Sequence, residues 1–198
     1  MFFTHLTAGR AKCQGFGYNA TMNLMKILKA KNRRLALSAT NPHPNQRILD
    51  LGCGEGELTL SLARGAREVV GIDDRPFLGE LEGRIAPAKS VCFLQASLQG
   101  LPFEDETFDR IVSANAWHRF REREELLYEV LRVLKPAGEM ILTDTCLEGL
   151  PFWRFWARMR GYQIVGFREE KRFFGRYFPS MRMTRFPWGG MMVVGKKK

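Results

Sequence analysis

The sequence predicts an α/β fold: a doubly wound, mixed sheet with helices on both faces. Three observations predict it. Five short runs, RILDLG (47–52), EVVGIDD (68–74), SVCFLQA (90–96), FDRIVSANAW (108–117) and GEMILTDTC (138–146), are apolar almost throughout rather than alternating, as strands buried on both faces are. Segments that read as helices separate most of them, which is the pattern of a parallel sheet. Two further strand-like stretches, YQIVGFREEKRFF (162–174) and GGMMVVGKK (189–197), close the chain and read as an antiparallel pair on one edge.

Each element has a local reason. In residues 18–37, Met22, Leu24, Met25, Ile27, Leu28, Leu35 and Leu37 recur near helical spacing among Lys and Arg. SATNPHPN (38–45) reads as a linker from its Pro and Asn content. After RILDLG comes a glycine turn, and Leu58, Leu60, Leu62 and Ala63 fall on a short helix. Residues 76–86 read as helical. Residues 122–134 are amphipathic, with Leu126, Leu127, Val130, Leu131 and Leu134 inward, and Pro136 and Gly138 stop that helix. PFWRFWARMR (151–160) reads as a helix opened by Pro.

The 198 residues fit about one domain. We divide it into a helical lid (1–45), a cofactor-binding core (46–146) and a basic, aromatic edge (147–198). No uncharged apolar stretch reaches the roughly 18 residues needed to span a bilayer, and the N-terminus lacks the pattern of a secretory signal. The four cysteines, Cys13, Cys53, Cys92 and Cys146, are scattered without metal-ligand spacing, which fits free thiols in a cytoplasmic protein.

The net charge of +10 is unevenly placed: residues 1–49 hold eight Lys/Arg and no acid, residues 50–150 eleven bases and nineteen acids, and residues 151–198 twelve bases and two acids. The last stretch also holds twelve of the 23 aromatics. Cations there that snorkel outward from rings packed on the sheet edge are the first reading. A nucleic-acid footprint is possible but not favoured, and peripheral contact with an anionic membrane surface is the third reading.

The turn DLGCGEGE (50–57) carries the chemistry. A dinucleotide fingerprint needs a third glycine where Glu57 stands. Asp50, Glu55 and Glu57 would repel a phosphate by a few kcal/mol for close, poorly screened pairs. The turn therefore favours a ligand with positive charge and no phosphate. S-adenosylmethionine fits, with its ammonium, its sulfonium and one carboxylate. Asp73 ends the second strand, where doubly wound sheets place an acid on the ribose hydroxyls of an adenosine.

RILDLGCGEGELTLSLA, VVGIDD, LQGLPFEDETFDRIVSANAWHRF and EVLRVLKPAGEMILTD resemble, in order, the motifs of class I S-adenosylmethionine-dependent methyltransferases, nearest the quinone-biosynthesis and small-molecule branch. The resemblance covers about residues 46–146 and implies a seven-stranded sheet ordered 3-2-1-4-5-7-6, with strand 7 antiparallel. By resemblance, Asp50 orients the methionine ammonium, and Gly52, Cys53, Gly54 and Gly56 pack under the methionine and ribose. Asp73 is the ribose acid, and Asp74 or Arg75 lies near the adenine. Ser97, followed by Leu98, stands where the family carries an aspartate beside the adenine amino group. Asn115 falls beside the sulfonium, and Tyr18 lies on a helix that lids the cofactor. His118 aligns with a family histidine and is the candidate general base. Trp117 and Arg119 are candidate acceptor contacts. The expected reaction is in-line methyl transfer to a small-molecule acceptor, without a metal. An RNA methyltransferase and a non-catalytic cofactor-binding regulator are the alternatives. The acceptor and the oligomeric state are left open.

Overall fold

The computed structural model describes residues 16–75, 91–146 and 166–198, with side chains described from residue 23 onward. The strands β1 (Arg47–Leu51), β2 (Glu68–Asp73), β3 (Val91–Gln95), β4 (Phe108–Ala114), β5 (Leu134–Thr145), β6 (Ser180–Arg185) and β7 (Gly190–Lys196) form one seven-stranded sheet ordered β3-β2-β1-β4-β5-β7-β6. Neighbours from β3 to β5 are parallel, and β7 is antiparallel to both β5 and β6. This is the order and direction that the resemblance implies.

The apolar runs divide their side chains between two layers. Ile48, Val69, Val112 and Ile141 pack with Ala36 of α1 (Phe16–Thr40) and with Leu58 and Leu62 of α2 (Glu57–Leu62). Leu49, Leu51, Val70, Ile72, Ile111 and Leu142 pack on the other face with Leu126, Leu127 and Val130 of α3 (Arg123–Val133) and Phe174 of α4 (Phe167–Tyr177). Each such side chain, wholly removed from water, contributes about 1.5–3 kcal/mol. Burial on both faces is why these strands carry no alternation.

Two expectations need correcting. Helix α1 runs through Ser38–Thr40, read above as linker, and ends where Asn41 takes a left-handed φ of 42° just before Pro42. The tail is the larger correction: Phe167–Tyr177 is helical rather than extended, and the partner of β7 is SMRMTR (180–185). Phe167, Phe173, Phe174 and Tyr177 recur at helical spacing and pack against the α3 face of the core, so period decides over the strand preference of aromatic residues. The expected helices at 76–86 and 151–160 lie outside the described residues.

Because β7 runs backwards, its turn with β6 stands at the carboxyl end of β5, where Thr145 pairs with Gly190 and Cys146 N donates to Gly189 O at 2.7 Å. In that turn Phe186 and Trp188 stack, with ring centroids 5.2 Å apart and planes 14° from parallel, and Lys31 of α1 lies 5.6 Å from the Trp188 ring centroid. Helix α1 is tied to the same end. The buried Asn32 donates through Nδ2 to Asn115 Oδ1 at 2.6 Å and to Thr145 Oγ1 at 3.3 Å, and its carbonyl accepts from Thr143 Oγ1 at 3.0 Å.

Candidate functional site

The carboxyl ends of β1 and β2 build the first half of the site. The turn after β1 is anchored by Gly52 N and Cys53 N, which donate to Ile72 O at 2.8 and 3.1 Å. Gly52 has φ 76°, and a Cβ there would stand 2.5 Å from Ala116 Cβ and 3.2 Å from Phe120 Cζ. Both the backbone conformation and the space therefore require glycine. Gly54 and Gly56 also take left-handed conformations. The turn stays close to the sheet, and Gly54 N donates to Asp73 Oδ2 at 2.9 Å. Burial pushes the Cys53 thiol up, and the Asp50 and Asp73 carboxylates push it further, so it stays protonated and inert.

Asp50 and Asp73 sit in opposite electrostatic conditions. Asp50 is buried and accepts from Thr59 Oγ1 at 2.6 Å. Burial raises its pKa to about 7 despite that bond. For Asp73, burial pushes upward too, but hydrogen bonds from Arg75 and Gly54 override it and hold the carboxyl at about 2. Arg75 grips it through Nε at 2.8 Å and Nη2 at 2.9 Å, and Arg119 Nη2 stands 3.6 Å away. Asp73 is thus ionised at any ordinary pH, and a hydroxyl pair arriving there must exchange with Arg75.

A cleft of about 410 Å³ opens beside these groups, lined by Asp74, Ser97, Leu98, Gln99, Arg119 and Phe120 among others. It brings Asp74, Ser97 and Leu98 together as expected neighbours. Ser97 Oγ accepts from Gln99 N at 3.3 Å, which shapes the turn that follows β3. Arg119, a candidate acceptor contact, lines this cleft with one terminal nitrogen 3.6 Å from Asp73 Oδ2.

The second half of the site stands over β4 and β5. Asn115 adopts a left-handed φ of 59°, and its side chain engages Asn32 Nδ2 and, at 3.1 Å, Lys29 O, so it holds α1 against the strand ends. A single 3₁₀ turn, Trp117–Arg119, follows. Trp117, a candidate acceptor contact, is wholly buried: it packs on Phe174 at 4.9 Å between centroids and donates Nε1 to Glu170 Oε2 at 2.8 Å. His118 emerges on the other side of the turn. Its Nδ1 lies 2.9 and 3.0 Å from the two carboxylate oxygens of Asp144, and its backbone N–H donates to Asp144 Oδ2 at 2.9 Å. Of Tyr18, only its place on α1 is described.

Residues 49–142 match the family model described as a methyltransferase domain. The chain is 37% identical over 116 residues to a demethylmenaquinone methyltransferase of Thermus thermophilus, covering 57% of this chain and 53% of that protein. Among solved structures, the YcgJ protein of Bacillus subtilis superposes with a TM-score of 0.71 at 18% identity, covering 85% of this chain and 99% of that one. A putative methyltransferase of Haloferax volcanii, solved in complex with the Trm112 methyltransferase activator, gives 0.74 at 17% identity over 96% and 99% of the two chains. The matched domain and the sheet order are those of class I S-adenosylmethionine-dependent methyltransferases. The chain spans about half the length of the curated relatives it matches.

The cofactor of a class I methyltransferase is S-adenosylmethionine, and the residues present fit it. The glycine cradle has no room for a side chain at Gly52, and the two carboxylates beside it suit an ammonium and a ribose diol rather than a pyrophosphate. Sequence reasoning missed three groups of this methyltransferase fold. Thr59 binds Asp50 from the helix that follows the turn. Asn32 carries no sequence signal beyond its place among lysines and arginines. Asp144 is an acid inside the buried run MILTDTC, which is itself a signal of a partnered charge.

Proposed function

We propose that this chain methylates a small, largely apolar molecule that enters over the carboxyl ends of β4 and β5, by in-line displacement. The observation that carries the reading is the division of the sheet's carboxyl edge. One half holds the glycine cradle with Asp50 and Asp73, and the other holds the His118–Asp144 pair and the aromatic turn between β6 and β7. Ligands of open α/β sheets bind along that edge. The bound cofactor supplies a methyl carbon already activated by a positive sulfur, so alignment is the main demand on the protein. Asp50 would hold the ammonium and Asp73 the ribose hydroxyls, with Asp74, Ser97 and Leu98 around the adenine. His118 would stand at the acceptor as general base. The demethylmenaquinone methyltransferases among the relatives support a planar, apolar acceptor.

The test is incubation with labelled methyl donor and, in parallel, a reduced naphthoquinone lacking the ring methyl, transfer RNA and a protein extract. Label is expected in the quinol. Label confined to RNA or protein would overturn the acceptor class.

The raised pKa of Asp50 gives a second expectation. An ammonium gains from Asp50 only when the carboxyl is ionised, and below about pH 7 a proton must leave first. Affinity for S-adenosylhomocysteine, which carries the same amino-acid end, should therefore rise as pH increases from 6 toward 7.5, by up to about tenfold per unit. It should fall again above roughly pH 8, where an α-amino group loses its proton. A flat calorimetric profile over that range would remove Asp50 from the ammonium site.

A further inference from the structure

Asp144 is buried, with its side chain 1% exposed, at the carboxyl end of β5, where it pairs with Met191 of β7. A carboxylate in such a place needs several donors. Among the described residues three reach it: the His118 backbone N–H, His118 Nδ1, and the Thr145 backbone N–H at 2.7 Å. The two backbone donors fix the carboxyl group, and the third site it offers is filled by the imidazole. The His118 ring retains 19% exposure, so one edge is held in the protein and the other is turned from the carboxylate.

We infer that Asp144 is a positioning residue that holds neutral His118 as the Nδ1–H tautomer, making Nε2 the basic nitrogen, and that the acceptor therefore carries a weakly acidic hydroxyl. The inference rests on the methyl-transfer reading above. An acceptor atom with a ready lone pair, such as a thioether or a neutral amine, needs no base before transfer. A phenol, quinol or enol does, because its nucleophilicity depends on losing the O–H proton. The balance closes with the groups named. The hydroxyl proton passes to His118 Nε2, giving an imidazolium paired with Asp144. The electron pair released into the oxygen or its conjugated carbon forms the bond to the methyl carbon. The carbon–sulfur bond breaks with its pair remaining on sulfur, and the sulfonium leaves as a neutral thioether.

The test is nitrogen NMR of the full chain labelled at histidine, with His118→Gln assigning the resonance among the three histidines, His5, His43 and His118. Neutral His118 is expected as the Nδ1–H tautomer. In Asp144→Asn the carboxamide NH₂ donates to Nδ1, and the Nε2–H tautomer should take over. An Nε2–H tautomer in the unaltered protein overturns the inference, and so does a tautomer that neither Asp144→Asn nor Asp144→Ala changes. The first of these outcomes is read on the unaltered protein, with His118→Gln serving only to assign the resonance. With 1,4-naphthohydroquinone as probe acceptor, Asp144→Asn should lower kcat by about 10²–10⁴-fold with KM changed less than about threefold, and S-adenosylhomocysteine affinity should be unaltered. Equal kcat in the variant overturns the role of Asp144. An Nδ1–H tautomer in a protein that methylates transfer RNA but no quinol supports Asp144 as positioning residue while overturning the hydroxyl acceptor.

Discussion

Asp73→Ala is expected to weaken S-adenosylhomocysteine binding by at least about 100-fold, read by calorimetry. The carboxylate is buried and ionised, and Gly54 N–H already aims one of its oxygens into the turn. A hydrogen bond to a charged group contributes about 1.5–3 kcal/mol, and a ribose diol offers two. Part of that gain is offset because Arg75 must first let go of the same oxygens, so the lower end of the range applies, about 3 kcal/mol or two decades. The substitution also leaves Arg75 and Arg119 facing each other without the acid between them, which adds repulsion where the ligand must sit. Asp73→Asn keeps an acceptor without the charge and should fall between the two. Affinity equal to that of the unaltered chain would reject the ribose assignment.

The largest expected loss of stability lies away from the cleft. Glu170 of α4 is 4% exposed, accepts Trp117 Nε1 at 2.8 Å and pairs with Arg123 Nη1 at 2.6 Å. Arg123 also lies against the Trp117 ring, 5.3 Å from its centroid, and its other terminal nitrogen is buried without a partner. Glu170→Ala therefore strands a guanidinium and an indole N–H together. Removing one partner of a buried pair costs about 3–5 kcal/mol, roughly a 10 °C drop in Tm for a chain of this length. Glu170→Gln retains an acceptor for the indole and should lose less. Burial raises the pKa of Glu170, and Arg123 and Trp117 only partly offset this, which is consistent with a strained but necessary charge. Denaturant unfolding measures the difference, and a change below about 1 kcal/mol would show that Arg123 finds water instead.

Why some of this was legible in the sequence and some was not follows from the kind of signal each residue carries. RILDLG, EVVGIDD and GEMILTDTC are buried on both faces, so their composition alone marks them as strands. Asp50 and Asp73 stand out because each ends such a run, where the fold delivers side chains to a common edge. β6 was hidden: SMRMTR alternates only weakly, lies at the sheet margin and has no β-branched residue except Thr184. The neighbouring FREEKRFF was misread because aromatic residues favour strands, while its three-and-four spacing fits a helix that covers Trp117. Asp144 and Asn32 act through partners 26 and 83 positions away, His118 and Asn115, and no local pattern reports such distances. Trp117 stands after a strand, where an acceptor contact and a core ring read alike, and the packing of Phe174 shows it as core.

The backward course of the final strand has a corollary for specificity. It delivers Phe186, Pro187, Trp188 and Gly189 to the carboxyl end of β5, two strands from β1 and its glycine turn, on a hairpin that supplies none of the groups proposed to hold the donor. A longer, shorter or differently populated hairpin is therefore expected to change what is modified while leaving the proposed donor pocket unchanged.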